Sequence, residues 1–216
     1  MEKTTLIELI KELSKTRPIF HSEADFQLEL GLKLREIGHR VRLERPHHFE
    51  VPILGMTKFE LDIELDGEIA IELKYKSQKL HHVFDGENFK LTNHSAPNLG
   101  RFDFLDDARR VKYFQDYNQF KKGFAILLTN SKDYWSNDGR NTMAREFSII
   151  KGRKLTKGDS LRWYPQDPTL NSGGLKRIAP YSPIEIQFNE EISWFDYSNI
   201  EGKKHGVFKF VVIEVG

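Results

Sequence analysis

The stretch LDIELDGEIAIELKYK, residues 61–76, sets acids and lysines at alternate positions of an apolar hairpin. Leu61, Ile63, Leu65, Ile69, Ile71, Leu73 and Tyr75 form one set, and Asp62, Glu64, Glu72, Lys74 and Lys76 lie in the other. Side-chain parity fixes the turn. A two-residue loop of Asp66-Gly67 would mix apolar and charged residues on each face, which a half-buried sheet does not tolerate. A three-residue loop, Asp66-Gly67-Glu68, pairs Leu65 with Ile69 and Ile63 with Ile71, and sets Asp62 opposite Glu72. Glycine suits the positive φ of such a bulged turn. Directly paired Cβ atoms lie roughly 4.5–5.5 Å apart. Two carboxylates that close repel unless positive charge lies between them. With Lys74 on the same face, the pair suits a hard cation. Asp62 and Glu72 would be ligands, the Leu73 carbonyl a third, and water would complete the octahedron around Mg²⁺. The lysine would orient a water or steady charge on a phosphate. The competing reading is a solvated strand face, with Glu64 and Lys76 extending a surface ladder.

The surrounding pattern supplies elements to hold this hairpin. Leu6, Ile7, Ile10 and Leu13 predict a helix over 4–15, ended by Pro18. A second helix starts at HSEADFQ, with Ser22 as N-cap and Asp25 three residues on, as in a capping box. Phe26, Leu30, Leu34 and Ile37 form its apolar stripe, and Gly38 marks its end. RVRLER (40–45) reads as a short strand, Pro46–Lys58 as a loop or broken strand, and 77–100 as a long polar stretch with an APNLG loop. Residues 102–120 predict a helix on Phe104, Ala108, Val111 and Phe114. GFAILLTN (123–130) is continuously apolar, as a buried parallel strand is. GRNTMAREFSII allows another short helix, and LRWYP, IEIQF, EISWFDY and VFKFVVIEV are strand-like. The expected class is a single α/β domain with a central mixed sheet.

Composition narrows the chemistry. The chain has 216 residues, 30% of them charged, and a formal net charge of +1. No global basic field draws it to nucleic acid, so any such binding needs a local patch. Without cysteine there is no disulfide, zinc–thiolate site or iron–sulfur cluster. The N-terminus lacks a signal-peptide pattern, and no segment approaches the roughly 18 apolar residues of a membrane helix. The expected location is the cytoplasm, or the nucleoplasm of a eukaryote, with no membrane partner.

Element order and motif together resemble the PD-(D/E)XK nuclease superfamily, the restriction-endonuclease-like fold. That family places an acid on the second core strand and acid-x-Lys on the third, after a first helix. Asp62 and Glu72-Leu73-Lys74 match, with nine residues between the two acids. Many members add a glutamate on the first helix, where Glu23 stands, and Gln27 lies one turn along the same face. The resemblance covers roughly residues 20–130, with a β-rich elaboration over about 155–216. Leu61 replaces the proline that names the motif. What it implies is a Mg²⁺-dependent deoxyribonuclease of restriction or repair type, with Mn²⁺ as a substitute ion and DNA as partner, acting as an endonuclease. Asp62, Glu72, the Leu73 carbonyl and Glu23 would hold metal, Lys74 would position the attacking water, and Gln27 would support them. A homodimer is compatible with it. The alternative is a catalytically inactive nucleic-acid-binding or assembly module of the same fold.

Other patterns carry less. His47-His48, His81-His82 and His94 lack HExxH spacing, and adjacent strand histidines point to opposite faces. NSGGLKR (171–177) is not a phosphate loop. Arg109, Arg110 and Lys112 are candidates for phosphate contact, set against a solvated face with Asp106–Arg110 pairing. Lys76 and Lys79, in KSQKLHHVF directly after the hairpin, are candidates for the substrate backbone. Trp135, Trp163 and Trp194 read as core or rim.

Overall fold

The computed structural model describes residues 1–51, 55–94, 96–118, 120–136, 142–163 and 183–216. The NSGGLKR segment and the end of LRWYP fall outside these residues. Helices α1 (Lys3–Thr16) and α2 (Glu23–Glu36) precede strands β1 (Val41–Val51), β2 (Gly55–Leu65) and β3 (Ile69–Lys76). A hairpin of β4 (Leu80–Phe84) and β5 (Glu87–Leu91) leads to α3 (Pro97–Asn118) and β6 (Lys122–Thr129). Short strands β7 (Lys154–Leu155), β8 (Ser160–Leu161), β9 (Ile184–Glu185) and β10 (Glu190–Glu191) follow, then β11 (Trp194–Asn199) and β12 (Val207–Val215).

The central sheet has six strands in the order β1-β2-β3-β6-β12-β11. Only β3 and β6 pair in parallel; the other neighbours are antiparallel. The chain is therefore a mixed α/β fold whose sheet is mainly antiparallel. The parallel pair needs a crossover, and α3 supplies it. Strand β12 inserts beside β6, so the C-terminal strands complete the central sheet.

Alternation along the strands divides the core in two. Ile71, Leu73, Tyr75, Phe124, Ile126 and Leu128 pack under α1 and α2 with Leu6, Ile10, Phe26 and Leu30. Ala70, Ala125, Leu127, Val211 and Ile213 face α3 and its Phe104, Ala108, Val111 and Phe114. Trp135, Trp163 and Trp194 pack at the edge of this second cluster. The approach of α3 to the sheet is close. A Cβ on Gly123 would lie 2.0 Å from Val111 Cγ1, so only glycine fits at that crossing.

The sequence differs from the fold in several places. Residues 46–51 and 55–58 are strand, because β1 is the sheet's edge, where Pro46 leaves no ladder amide unmet. The polar stretch after residue 77 holds the β4–β5 hairpin. Asp85 and Gly86 at its turn have φ of 49° and 77°, as a two-residue type I′ turn requires. APNLG starts α3, with Pro97 in its first position. The start of GRNTMAREFSII lies outside the described residues, and its described part holds a 3₁₀ turn, Arg145–Phe147. Ile37 stands outside the α2 stripe, 49% exposed at the helix end. No described helix is long and apolar enough to cross a membrane.

Candidate active site

The three-residue turn holds. Leu65 pairs with Ile69 and Ile63 with Ile71, and Asp66 and Gly67 have φ of 57° and 79°. The β2–β3 ladder ends at Ile63↔Ile71, so Asp62 and Glu72 are not a ladder pair. On the other side of β2 the register passes from Leu43↔Ile63 to Arg45↔Leu61, and Glu44 between them has a left-handed φ of 50°. β2 changes face here. Ile63 packs under α1 and α2, whereas Leu61 packs toward α3. The uniform parity read from the sequence therefore breaks at Asp62.

The divergence of β2 from β3 uncovers two amides, and two carboxylates cover them. Leu73 N donates to Asp62 Oδ2 at 2.6 Å, and Tyr75 N donates to Glu23 Oε2 at 2.6 Å. Glu23 is placed by the first turn of α2, whose N-cap Ser22 Oγ accepts from Asp25 N at 3.2 Å. Gln27, one turn on and buried, ties the kink down: its Nε2 donates to Asp62 O at 2.7 Å and to Glu44 Oε1 at 2.6 Å.

Glu72 and Lys74 project toward α3, from which the sequence had assigned no acid to the site. Lys74 Nζ lies 3.0 Å from Asp107 Oδ2. Arg110 Nη2 lies 3.3 Å from Glu72 Oε1 and donates to Glu60 O at 3.0 Å, while Nη1 is 3.4 Å from Asp107 Oδ1. Glu72 is 2% and Asp107 4% exposed. Glu72 Oε1 and Asp107 Oδ2 are buried and accept no well-directed hydrogen bond. Asp107 was legible in part. It falls three residues after Phe104 and four before Val111, inside the buried stripe of α3, where an acid needs a partner.

Arg110 is thus a member of this cluster rather than one side of an Asp106–Arg110 surface pair. Asp106 pairs with Arg109 instead, and Lys112 with Asp116. Both Arg109 and Arg110 are engaged inside the fold. Glu64 is likewise no part of a surface ladder. It is buried, 2.7 Å from Arg45 and 3.4 Å from His47. Lys76 is half-buried and Lys79 exposed just beyond the site.

Charge in the cluster does not balance. Glu23, Asp62, Glu72 and Asp107 share it with only Lys74 and Arg110. Burial, aided by Asp107 and Glu23, pushes the Asp62 carboxyl up to about 7 against the Leu73 amide bond. Burial raises Glu72 well above the carboxylate range despite Arg110, with Asp62 and Asp107 adding to the rise. Asp107 is raised by burial against the pull of Lys74 and Arg110. Burial alone would lower Lys74, but Asp107 and Glu23 outweigh it and hold the ammonium protonated. Among the described residues no three His, Asp or Glu side chains are arranged as a ready-made metal site. In this conformation Arg110 and Lys74 supply the positive charge at the centre. The acidic side chains of the cluster offer only oxygen atoms, the donor type that a hard divalent cation takes.

Comparisons with protein-family models, with curated proteins and with solved structures return no match.

Proposed function

We propose that the protein is a divalent-metal-dependent nuclease acting on DNA, built on a restriction-endonuclease-like arrangement of the sheet. One observation carries this reading: four carboxylates converge on two cations where β2 and β3 part. Buried acids in excess of their partners are costly unless a cation joins them. A bound Mg²⁺ would lower the pKa of a coordinated water and offset charge on the phosphate. Asp62 and Glu72 would hold it, with the Leu73 carbonyl as a third ligand and Glu23 in support. Lys74, kept charged by Asp107, donates to the attacking water. Arg110 must leave Glu72, and it keeps Asp107 and the Glu60 carbonyl as partners.

The test is cleavage of linear, circular and single-stranded DNA in Mg²⁺ and Mn²⁺. Glu72→Gln removes a ligand charge at nearly constant shape, and Lys74→Ala removes the ammonium. Each should lower cleavage by at least about a hundredfold while leaving the fold intact. Wild-type cleavage that both variants retain at full rate rejects the assignment.

A second reading, a non-catalytic nucleic-acid-binding module, is favoured by the internal pairing of Glu72 with Arg110 and Lys74 with Asp107. It requires wild-type protein that binds DNA and cleaves none in either metal.

A further inference from the structure

A second constellation lies past the cluster, where β3 and β6 end. A groove of about 440 Å³ is lined by Gln78, Asn130, Ser131, Lys132, Asp133 and the 203–207 stretch. Three chain segments form it: the exit of β3, the exit of β6 and the turn joining β11 to β12. Buried Asn130 fastens them together. Its Oδ1 accepts from Gln78 N at 2.6 Å, and its Nδ2 donates to His205 O at 2.9 Å and to Gln78 O at 3.3 Å. Gln78 Nε2 adds a bond to Ser131 Oγ at 3.2 Å. The β11–β12 turn is itself tightly set, with His205 at φ 60° and Gly206 packed so closely on Ile200 that a Cβ would meet its carbonyl at 2.2 Å.

The charge of the groove is one-sided. It presents Lys132, Lys203 and Lys204 with His205 against one acid, Asp133. Some lysines elsewhere, among them Lys3, Lys58, Lys122 and Lys209, sit in ion pairs. Lys132, Lys203 and Lys204 have no acidic partner among the described residues, and Lys203 and Lys204 are exposed. A rigid concave site that leaves its ammonium groups free matches a ligand with repeated negative charge. Its position selects among such ligands. Lys74 and Gln78 lie four residues apart across the end of β3, and four residues of extended chain span about 13 Å. That is about four nucleotides at 3.4 Å per nucleotide of one strand.

We propose that this groove docks the phosphodiester backbone of DNA on one side of the acidic cluster, with Lys132, Lys203 and Lys204 as phosphate contacts. The proposal rests on the nuclease reading of that cluster and adds the path of the substrate. The contacts are to phosphate, so they set affinity and register without reading sequence.

The test is fluorescence anisotropy of a labelled duplex in EDTA at several salt concentrations, with cleavage in Mg²⁺ measured separately. The Lys132→Ala/Lys203→Ala/Lys204→Ala variant should bind at least about tenfold more weakly, and its salt slope should fall by about 2.7, or 0.9 per lost phosphate contact. The Lys203→Gln/Lys204→Gln variant, confined to an exposed turn, should lose about 1.8 of slope even where the triple variant folds poorly. A Lys151→Ala/Lys154→Ala/Lys157→Ala control should match wild type. Unchanged slope in both groove variants, an equal loss in the control, or no wild-type binding overturns the proposal. Wild-type protein that binds through the groove without cleaving supports the groove and rejects the nuclease. Wild-type protein that cleaves and keeps its slope in both groove variants does the reverse.

Discussion

Replacing Asp62 by asparagine should make the metal-free protein more stable, and only above mildly acidic pH. Asparagine keeps an oxygen that can accept from Leu73 N, at nearly the same shape, and removes the charge. In the folded protein this carboxyl titrates at about 7 rather than 3.8, chiefly through burial. The folded state therefore holds its proton where the unfolded chain has released it, and stability falls as pH rises from about 4 to about 7. At about 1.4 kcal/mol per pH unit, the ceiling on the penalty at pH 8 is about 4 kcal/mol. Relaxation of the site reduces it, and a gain of about 2 kcal/mol for D62N is expected at pH 8. Below pH 4 both proteins carry a neutral group, and the gain should vanish. Urea denaturation in EDTA across pH 4–8 measures the difference, which includes the relief that Glu72 gains when the Asp62 charge is removed. Added Mg²⁺ should then stabilise wild type with the logarithm of its concentration above the Kd, and D62N far less. A D62N protein less stable than wild type at pH 8, or a difference independent of pH, would refute the charge argument. It would show that the amide contact outweighs the buried charge.

Other outcomes follow from the same contacts. Gly123→Ala should cost about 1–3 kcal/mol by forcing α3 from the sheet, and Val111→Ala should recover part of it, read as denaturation midpoints of the single and double variants. Gln27→Ala should lower stability by about 1–2 kcal/mol through the loss of two buried hydrogen bonds, and Gln27→Glu by more, since it adds an acid beside Asp62; thermal melts at pH 8 decide this. Ca²⁺ should tighten duplex binding relative to EDTA without efficient cleavage, because it offsets the acidic cluster while its looser coordination suits catalysis poorly. Equal affinity in the two would indicate that the cluster does not face DNA.

The hairpin and the three helices were legible from local periodicity, and the parallel β6 strand from a short continuous apolar run. The turn at Asp66-Gly67-Glu68 followed from parity alone. What escaped was decided by partners distant in sequence. Pro46 looks like a break until β1 is known to be the sheet's edge. Strand β12 finds its place only through pairing with β6, some 90 residues earlier. The exchange of faces between Leu61 and Ile63 depends on Glu44 adopting φ 50° on the neighbouring strand, and no alternation within residues 61–76 carries that information. Asp107 and Arg110 are the instructive pair. Both stand on a helix that was identified, yet their role depends on which of them lies above Glu72 and Lys74.

The kink at Asp62 explains why acids, lysine and strand ends gather at one point. A β-strand that leaves its partner exposes amides, and a buried amide needs an acceptor. Asparagine, glutamine or serine would supply one without charge. Here the two acceptors are carboxylates, and two further buried carboxylates stand behind them on β3 and α3. Stability alone would favour neutral acceptors, since removing charge from such a site is neutral or better for the fold. The strained φ of Glu44, anchored through Gln27, is a cost of the same kind, since such backbone persists only where its surroundings hold it. Both costs fall at one place, next to the half-buried Lys74 and its buried partner Asp107 on α3. The site is thus expensive both in charge and in backbone, and neutral acceptors at Asp62 and Glu23 would remove the first of these costs.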